Sequence, residues 1–84
     1  MIEVNEVTRK AIDYLKSFYP EAERVQLEEI ELSEDKKVWN VTISFESQDT
    51  HTGSVLVTGK SKKYKVFKIE SKSGDVVSMK VRTF

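Results

Sequence analysis

Apolar side chains near the N-terminus recur at intervals of three and four residues. The stripe comprises Val4, Val7, Ala11, Leu15 and Phe18. Because one turn of an α-helix takes 3.6 residues, this spacing predicts an amphipathic helix over residues 4–19. Pro20 disfavours helical geometry at the residue before it, so we expect the helix to end there. A helix of this length is only marginally stable alone and must pack its stripe against another element.

Two segments that follow the helix read as strands. Residues 38–46 alternate most regularly, with four apolar side chains on one side: Trp39, Val41, Ile43 and Phe45. This period of two is typical of a half-buried strand. Residues 25–32 also alternate, but the apolar positions change parity between Leu27 and Ile30. A β-bulge at Glu28–Glu29 would return all of them to one face.

The segment 64–82 predicts a β-hairpin. Apolar residues alternate with polar ones before and after a tight turn at residues 72–75. Gly74 supplies the positive φ that such turns usually need. Two strands alone are unstable in water, so this hairpin requires the rest of the chain as a partner.

The order of elements predicts a single α+β domain over residues 1–84, with the sequence α-β-β-β-β. One N-terminal helix is expected to pack on one face of a four-stranded antiparallel sheet, which leaves the other face polar. The expected core comprises Val7, Ala11, Leu15, Phe18, Leu27, Ile30, Trp39, Val41, Ile43, Phe45, Phe67, Ile69, Val77, Met79 and Val81.

Composition argues against catalysis. The chain of 84 residues contains no cysteine, which excludes a disulfide framework, a thiolate nucleophile and a cysteine zinc site. Its one histidine, His51, stands in a polar segment with Asp49 as the nearest acid. A metal- or histidine-assisted hydrolase, the competing hypothesis, would depend on these two residues. The acidic residues lack the calcium-loop pattern. We therefore predict a protein that is not an enzyme and has no cofactor, metal site or small-molecule substrate.

Residues 47–63 predict a long connection, which is unusual in a compact domain. The apolar triplet Val55-Leu56-Val57 lies between two glycines in this segment. It would either anchor the loop to the core, form a short edge strand or contact a partner. Tyr64, Val76 and Phe84 fall on the parity opposite the main core. Together these six residues are the predicted contact surface for a protein partner or for self-association.

Charge is distributed unevenly although the formal net charge is zero. Residues 1–49 hold six Lys or Arg and twelve Asp or Glu, whereas residues 50–84 hold eight and two. Five of the seven lysines in the second half interleave with Tyr64 and Phe67: Lys60, Lys62, Lys63, Lys65 and Lys68. Lysines contact phosphates and aromatic rings stack on bases, so nucleic-acid binding is the alternative function.

The N-terminal residues 1–6 are acidic and lack the basic and then apolar pattern of a signal peptide. No apolar run approaches the length of a membrane span. These features predict a cytoplasmic protein without a membrane segment.

The final hairpin resembles that of PepSY-like or cystatin-like small domains. The resemblance rests on the element order and on a pattern formed by Tyr64, Val66, Ile69, Gly74 and Val76. The family often has an acidic residue and a threonine before the glycine, where this chain has Lys72 and Ser73. The resemblance implies a non-catalytic domain that binds or restrains a protein. The open edges of the predicted sheet support the same role, because backbone pairing at such an edge is a common peptide-binding mode. The chain is thus expected to be a protein-binding or regulatory, inhibitor-like module.

Overall fold

A computed structural model describes residues 2–48 and 60–82. These contain one helix, α1 (Val4–Phe18), and four strands: β1 (Glu23–Leu32), β2 (Val38–Gln48), β3 (Lys60–Glu70) and β4 (Val76–Val81). All neighbouring strands are antiparallel, and the sheet order is β1-β2-β3-β4. The predicted α+β class is confirmed. Because every strand pairs with its neighbour in sequence, β1 and β4 are the two edges of the sheet.

The helix packs across one face of the sheet. Its buried residues Val7, Ala11 and Leu15 meet the alternating side chains of the two central strands. Those side chains are Trp39, Val41, Ile43 and Phe45 from β2 and Phe67 and Ile69 from β3. Aromatic contacts extend this core, since the Tyr14 ring meets Phe67 edge-on at 6.2 Å and the Tyr19 ring lies 5.3 Å from Phe45. The helix stripe and the β2 alternation were therefore predicted correctly at most positions.

Two β-bulges decide which residues of the edge strands face the core. The predicted parity change in β1 is confirmed, because the register with β2 shifts between Leu27 and Glu29. A second shift lies between the pairs Lys68–Ser78 and Ile69–Val76. It brings Val76 against the core and leaves Val77 exposed. The predictions that Val76 faces away from the core and that Val77 is buried are both wrong for this reason.

Three other residues of the predicted core are exposed: Phe18, Leu27 and Val81. Phe18 closes the last turn of α1 and contacts only the ring of Tyr14 among the described aromatic residues, at 5.1 Å. Leu27 and Val81 point towards the helix side, but they belong to edge strands that are flanked on one side only. The alternation of apolar residues correctly placed Leu27 and Val81 on the helix side of the sheet. It contains no information on how many neighbouring strands shield a side chain from solvent.

The central strands are longer than predicted. Residues 47–48 and 60–63 belong to β2 and β3, so the predicted connection over 47–63 is partly strand. The apolar triplet Val55-Leu56-Val57 and His51 lie outside the described residues, as does Phe84.

Ser71 joins three parts of the chain at one end of the sheet. Its N–H donates to Lys37 O at 2.9 Å, and its Oγ donates to Lys36 O at 2.7 Å. Its carbonyl accepts the N–H of Ile2 at 2.9 Å. Next to it, Gly74 has φ +77° and lies against the side chains of Lys10 and Ile2. The two hairpin turns and the N-terminal segment are thus tied together.

Candidate functional site

The sheet face opposite α1 is polar and its charge is divided between the edges. Most acidic side chains on this face come from β1 and β2, and most basic ones come from β3, β4 and the residue after it. The acidic residues of the first group are Glu23, Glu28, Glu29, Glu31 and Glu46, and the basic residues of the second are Lys62, Lys68, Lys80 and Arg82. The exceptions are Arg24 of β1, which pairs with Glu46, and Glu70 of β3. The uneven charge of the two halves of the sequence therefore appears as an acidic edge and a basic edge of one sheet.

Glu28 is held in the middle of this polar face. Ser44 Oγ donates to Glu28 Oε2 at 2.6 Å, and Lys62 Nζ lies 3.5 Å from the same oxygen. The Ser44 hydrogen bond, followed by the Lys62 charge, lowers the pKa of Glu28. The pKa of Lys62 is raised by Tyr64, whose ring centroid lies 5.5 Å from Nζ, and by Glu28. This lysine is therefore engaged within the domain.

The five lysines of the predicted nucleic-acid patch do not share one surface. Lys62 and Lys68 lie on the polar face, whereas Lys63 and Lys65 point to the helix side. Lys63 Nζ donates to Ser47 Oγ at 2.8 Å, and Lys65 Nζ lies 5.3 Å from the ring centroid of Tyr19. Lys60 is described only as the first backbone position of β3. The expectation of a single basic patch is corrected by this division.

Two of the six predicted protein-contact residues lie in the described part of the chain, and they are on opposite sides of the sheet. Tyr64 lies on the polar face and is half-buried, while Val76 packs on the core side. Val55, Leu56, Val57 and Phe84 lie outside the described residues.

The sequence predicts binding at an open sheet edge without identifying the outer edge of β4 or its residues. The N–H of Arg82 donates to Tyr64 O at 3.0 Å, which makes these two residues a hydrogen-bonded pair. Bonded and non-bonded pairs alternate along an antiparallel ladder. With the β3–β4 register, the backbone N–H and C=O groups of Met79 and Val81 consequently point away from β3. No strand among residues 2–48 and 60–82 pairs with them.

Exposed apolar side chains accompany this edge. Val77 and Val81 are 62% and 68% exposed, respectively. An open groove of about 600 Å³ separates the first part of β4 from α1. Its walls are Lys10, Asp13, Tyr14 and Ser17 from the helix and residues 74–76 from the turn and β4. A strand added to β4 would place alternate side chains beside this groove.

The opposite edge has the same arrangement of backbone groups. Ser33 N–H donates to Val38 O at 2.8 Å, so the alternation makes Glu31 a bonded partner of β2. The backbone groups of Ile30 and Leu32 therefore point outward from β1. Two register shifts interrupt the pairing of β1 with β2. Residues 29–32, at the end of β1, are its longest stretch of regular pairing. Bulges of this kind commonly restrict pairing at sheet edges.

A second cavity lies between the two hairpin turns. It has a volume of about 590 Å³ and is bordered by Lys36, Lys37 and Lys72 together with Asp35 and Glu70. Asp35 is committed to its own turn, because Ser33 Oγ donates to it at 2.6 Å and the N–H of Lys37 at 3.0 Å. These two bonds lower the pKa of Asp35. Because acidic and basic side chains both border this cavity, its charges do not favour either an anionic or a cationic ligand.

Over the described ranges, no three His, Asp or Glu side chains are grouped so that they could hold a metal ion. In those ranges there is also no helix with the length and apolar character needed to cross a membrane. The chain matches no protein-family model, no curated protein and no solved structure. The free edge of β4, with its groove and exposed valines, is therefore the best-defined candidate site.

Proposed function

We propose that this domain is a non-catalytic protein-binding module that takes up an extended segment of a partner at the outer edge of β4. The observation that supports this function is the pair of outward-pointing backbone positions, Met79 and Val81. An extended peptide added to a sheet edge gains affinity from main-chain hydrogen bonds and selectivity from alternate side chains.

The surroundings of β4 suit this mode of binding. Side chains of an added strand would alternate between the helix side and the polar face. On the helix side they would meet Val81, Tyr14 and the groove along α1. On the polar face they would meet Lys80, which has no ion pair with another described residue. An apolar and acidic alternation in the partner would match both sides.

Such a module would recruit or restrain its partner, as expected of a regulatory or inhibitor-like domain. The resemblance to PepSY-like or cystatin-like domains agrees with this role and stays a proposal, as does a cytoplasmic location. Nucleic-acid binding through Lys60, Lys62, Lys63, Lys65 and Lys68 also stays a prediction. The ion pair between Lys62 and Glu28 and the separation of these lysines give it less support.

A proline at Val81 tests the proposal. Proline removes the outward N–H, and edge strands tolerate proline where that group faces solvent. Val81→Ala is the matched control, because it shortens the side chain and keeps the N–H. Proteins captured from native cell extract, with and without nuclease, would be identified, and the affinity of each would be measured for the wild type and both variants.

We expect Val81→Pro to weaken partner binding at least about tenfold, with a melting temperature close to that of Val81→Ala. We expect Val81→Ala to retain most of the affinity. Equal affinity of Val81→Pro and the wild type for every captured protein would overturn the proposal. Capture that nuclease abolishes would instead favour RNA or DNA as the ligand.

A further inference from the structure

The two edges of this sheet are complementary to each other. In an antiparallel meander of four strands, β1 and β4 run in opposite directions. If a second copy is placed beside the first with its helix on the same side, its β1 is antiparallel to β4 of the first. The polar faces of the two sheets then continue into one another, as do the two helix-covered faces.

The outward backbone groups select a register for this contact. Met79 and Val81 point out of β4, and Ile30 and Leu32 point out of β1. Antiparallel pairing requires such residues to face each other across the interface. We infer that β4 binds β1 of a second copy head to tail, with Met79 opposite Leu32 and Val81 opposite Ile30. This inference rests on the proposed function, for which it names the partner.

The same register pairs side chains of matching chemistry. On the helix side, Met79 and Val81 would meet Leu32 and Ile30 of the second copy, which are both half-buried in the single chain. On the polar face, Lys80 would stand directly opposite Glu31 of the second copy. Cross-strand pairs of opposite charge stabilise a sheet, and pairs of like charge weaken it.

Glu31 and Lys80 are available for this contact. Both are exposed, and neither forms an ion pair or a side-chain hydrogen bond within the described part of the chain. Arg82 would lie opposite Glu29 of the second copy. Within its own chain, Arg82 already forms an ion pair with Glu29 at 3.1 Å. Moving the register by two residues would replace these two charge pairs by a single one, either Lys80 with Glu29 or Arg82 with Glu31.

The contact joins two different surfaces, so a pair of copies keeps one free β1 edge at one end and one free β4 edge at the other. Heterologous contacts of this kind form rings or open chains and do not stop at a dimer. The bulges of β1 restrict the regular pairing to residues 29–32. We therefore expect short assemblies that lengthen with protein concentration.

Two charge reversals test this register. In Lys80→Glu, the basic member of the pair is reversed, and in Glu31→Lys the acidic member is reversed, so each variant alone brings like charges together. In an equimolar mixture, however, the reversed β4 edge of one variant meets the reversed β1 edge of the other. The remaining edges meet as in the wild type. Matched controls are Lys72→Glu and Glu34→Lys, exposed turn residues outside the contact.

Mass would be measured by sedimentation equilibrium from micromolar to millimolar protein, and folding by circular dichroism. We expect the wild type and both controls to exceed twice the monomer mass of 9.7 kDa at high concentration. Each reversal should weaken association about tenfold, and the mixture should restore it. Assembly that ends at a dimer, or a mixture that fails to restore it, would overturn the inference.

A wild type that stays monomeric at millimolar concentration would also overturn the inference. The proposed function has a separate readout, since binding of another protein at β4 would still be lost in Val81→Pro. If both measurements fail, the β4 edge is not a binding site.

Discussion

Arg82 reaches across the sheet to Glu29 at the opposite edge. Its Nη1 lies 3.1 Å from Glu29 Oε1 and donates to Thr42 Oγ1 at 2.9 Å. Arg82 directly follows β4 and Glu29 belongs to β1, so its side chain passes over β3 and β2. This contact connects the two edges of the sheet and helps to cover Thr42, which is 3% exposed.

The Arg82 contact should contribute measurably to stability. Exposed ion pairs usually contribute about 0.2–1 kcal/mol, and the bond to the buried Thr42 hydroxyl adds to this pair. We expect Arg82→Ala to lower the free energy of unfolding by about 1 kcal/mol in urea titrations. A double-mutant cycle with Glu29→Ala would isolate the ion pair.

The matched control for this cycle is Arg24→Ala. Arg24 pairs with Glu46 at 3.5 Å, and its side chain is 69% exposed. We expect this substitution to have a smaller effect on the free energy of unfolding than Arg82→Ala. Equal effects of the two substitutions would contradict the role assigned to Arg82.

Gly74 should not tolerate a side chain. A Cβ at this position would lie 2.9 Å from Lys10 Cε and 3.1 Å from Ile2 Cδ1, and φ is +77°. Left-handed backbone costs about 1–2 kcal/mol for residues with a Cβ. We expect Gly74→Ala to lower the free energy of unfolding by about that amount.

Shortening Lys10 separates the two causes of the stability loss in Gly74→Ala, which are the contact with the Lys10 side chain and the left-handed backbone. In Lys10→Ala/Gly74→Ala the contact with Lys10 Cε is removed, so part of the loss should be recovered, while the backbone term persists. Full stability of Gly74→Ala in thermal unfolding would show that the turn can relax without cost.

Trp39 is expected to contribute strongly to the stability of the fold. It is 9% exposed and packs among the buried residues of β2 and β3. Trp39→Ala should lower the free energy of unfolding by about 3–5 kcal/mol because it leaves a cavity. The indole Nε1 has no hydrogen-bond partner among the described residues.

That unpartnered indole N–H predicts a second outcome at Trp39. Trp39→Phe removes the buried N–H as well as part of the ring, so these effects oppose each other. Its cost should be less than half that of Trp39→Ala in urea unfolding followed by circular dichroism. A cost below about 1 kcal/mol for Trp39→Ala would place the side chain at the surface.

The pKa of Glu28 should depend on Ser44. Because the native pKa is lowered, the ionised carboxylate stabilises the fold at neutral pH. This stabilisation is lost as the pH falls through the native pKa, which lies below the ordinary range of a glutamate. Ser44→Ala removes the principal cause of the shift and should raise the pKa towards its ordinary value.

Carboxyl NMR titration would measure this pKa. Ser33→Ala is the control, since it should raise the pKa of Asp35 and leave that of Glu28 unchanged. An unchanged Glu28 pKa in Ser44→Ala would make the Lys62 charge the principal cause instead.

The sequence predicted most of the fold because the strongest patterns lie in the best-covered elements. The stripe of α1 and the alternation of β2 report burial directly, since both elements pack on the core along most of their length. The bulge at Glu28–Glu29 was also predictable, because the apolar positions of β1 change parity there.

The errors in the predicted burial of strand residues are concentrated at the edges of the sheet. The bulge at Val77 exchanges the roles of Val76 and Val77, although the alternation of Val77, Met79 and Val81 gives no sign of it. The complementarity of Glu31 and Lys80 depends on the sheet order and on which backbone groups face outward. Neither can be obtained from one strand alone, so a sheet edge was predictable as a binding mode but the position and residues of the candidate site were not.

The junction at Ser71 has a consequence for how the chain folds. Each strand pairing joins neighbours in sequence and can form as a separate hairpin. The bond from Ser71 N–H to Lys37 O continues the register of the β2–β3 pair, so it can form together with that pair. The bond from Ile2 N–H to Ser71 O instead joins the segment before α1 to the end of β3, so it requires that segment to have docked on the sheet. Protection of the Ile2 amide from hydrogen exchange would therefore mark the completed fold, whereas the Ser71 amide should become protected with the β2–β3 pair.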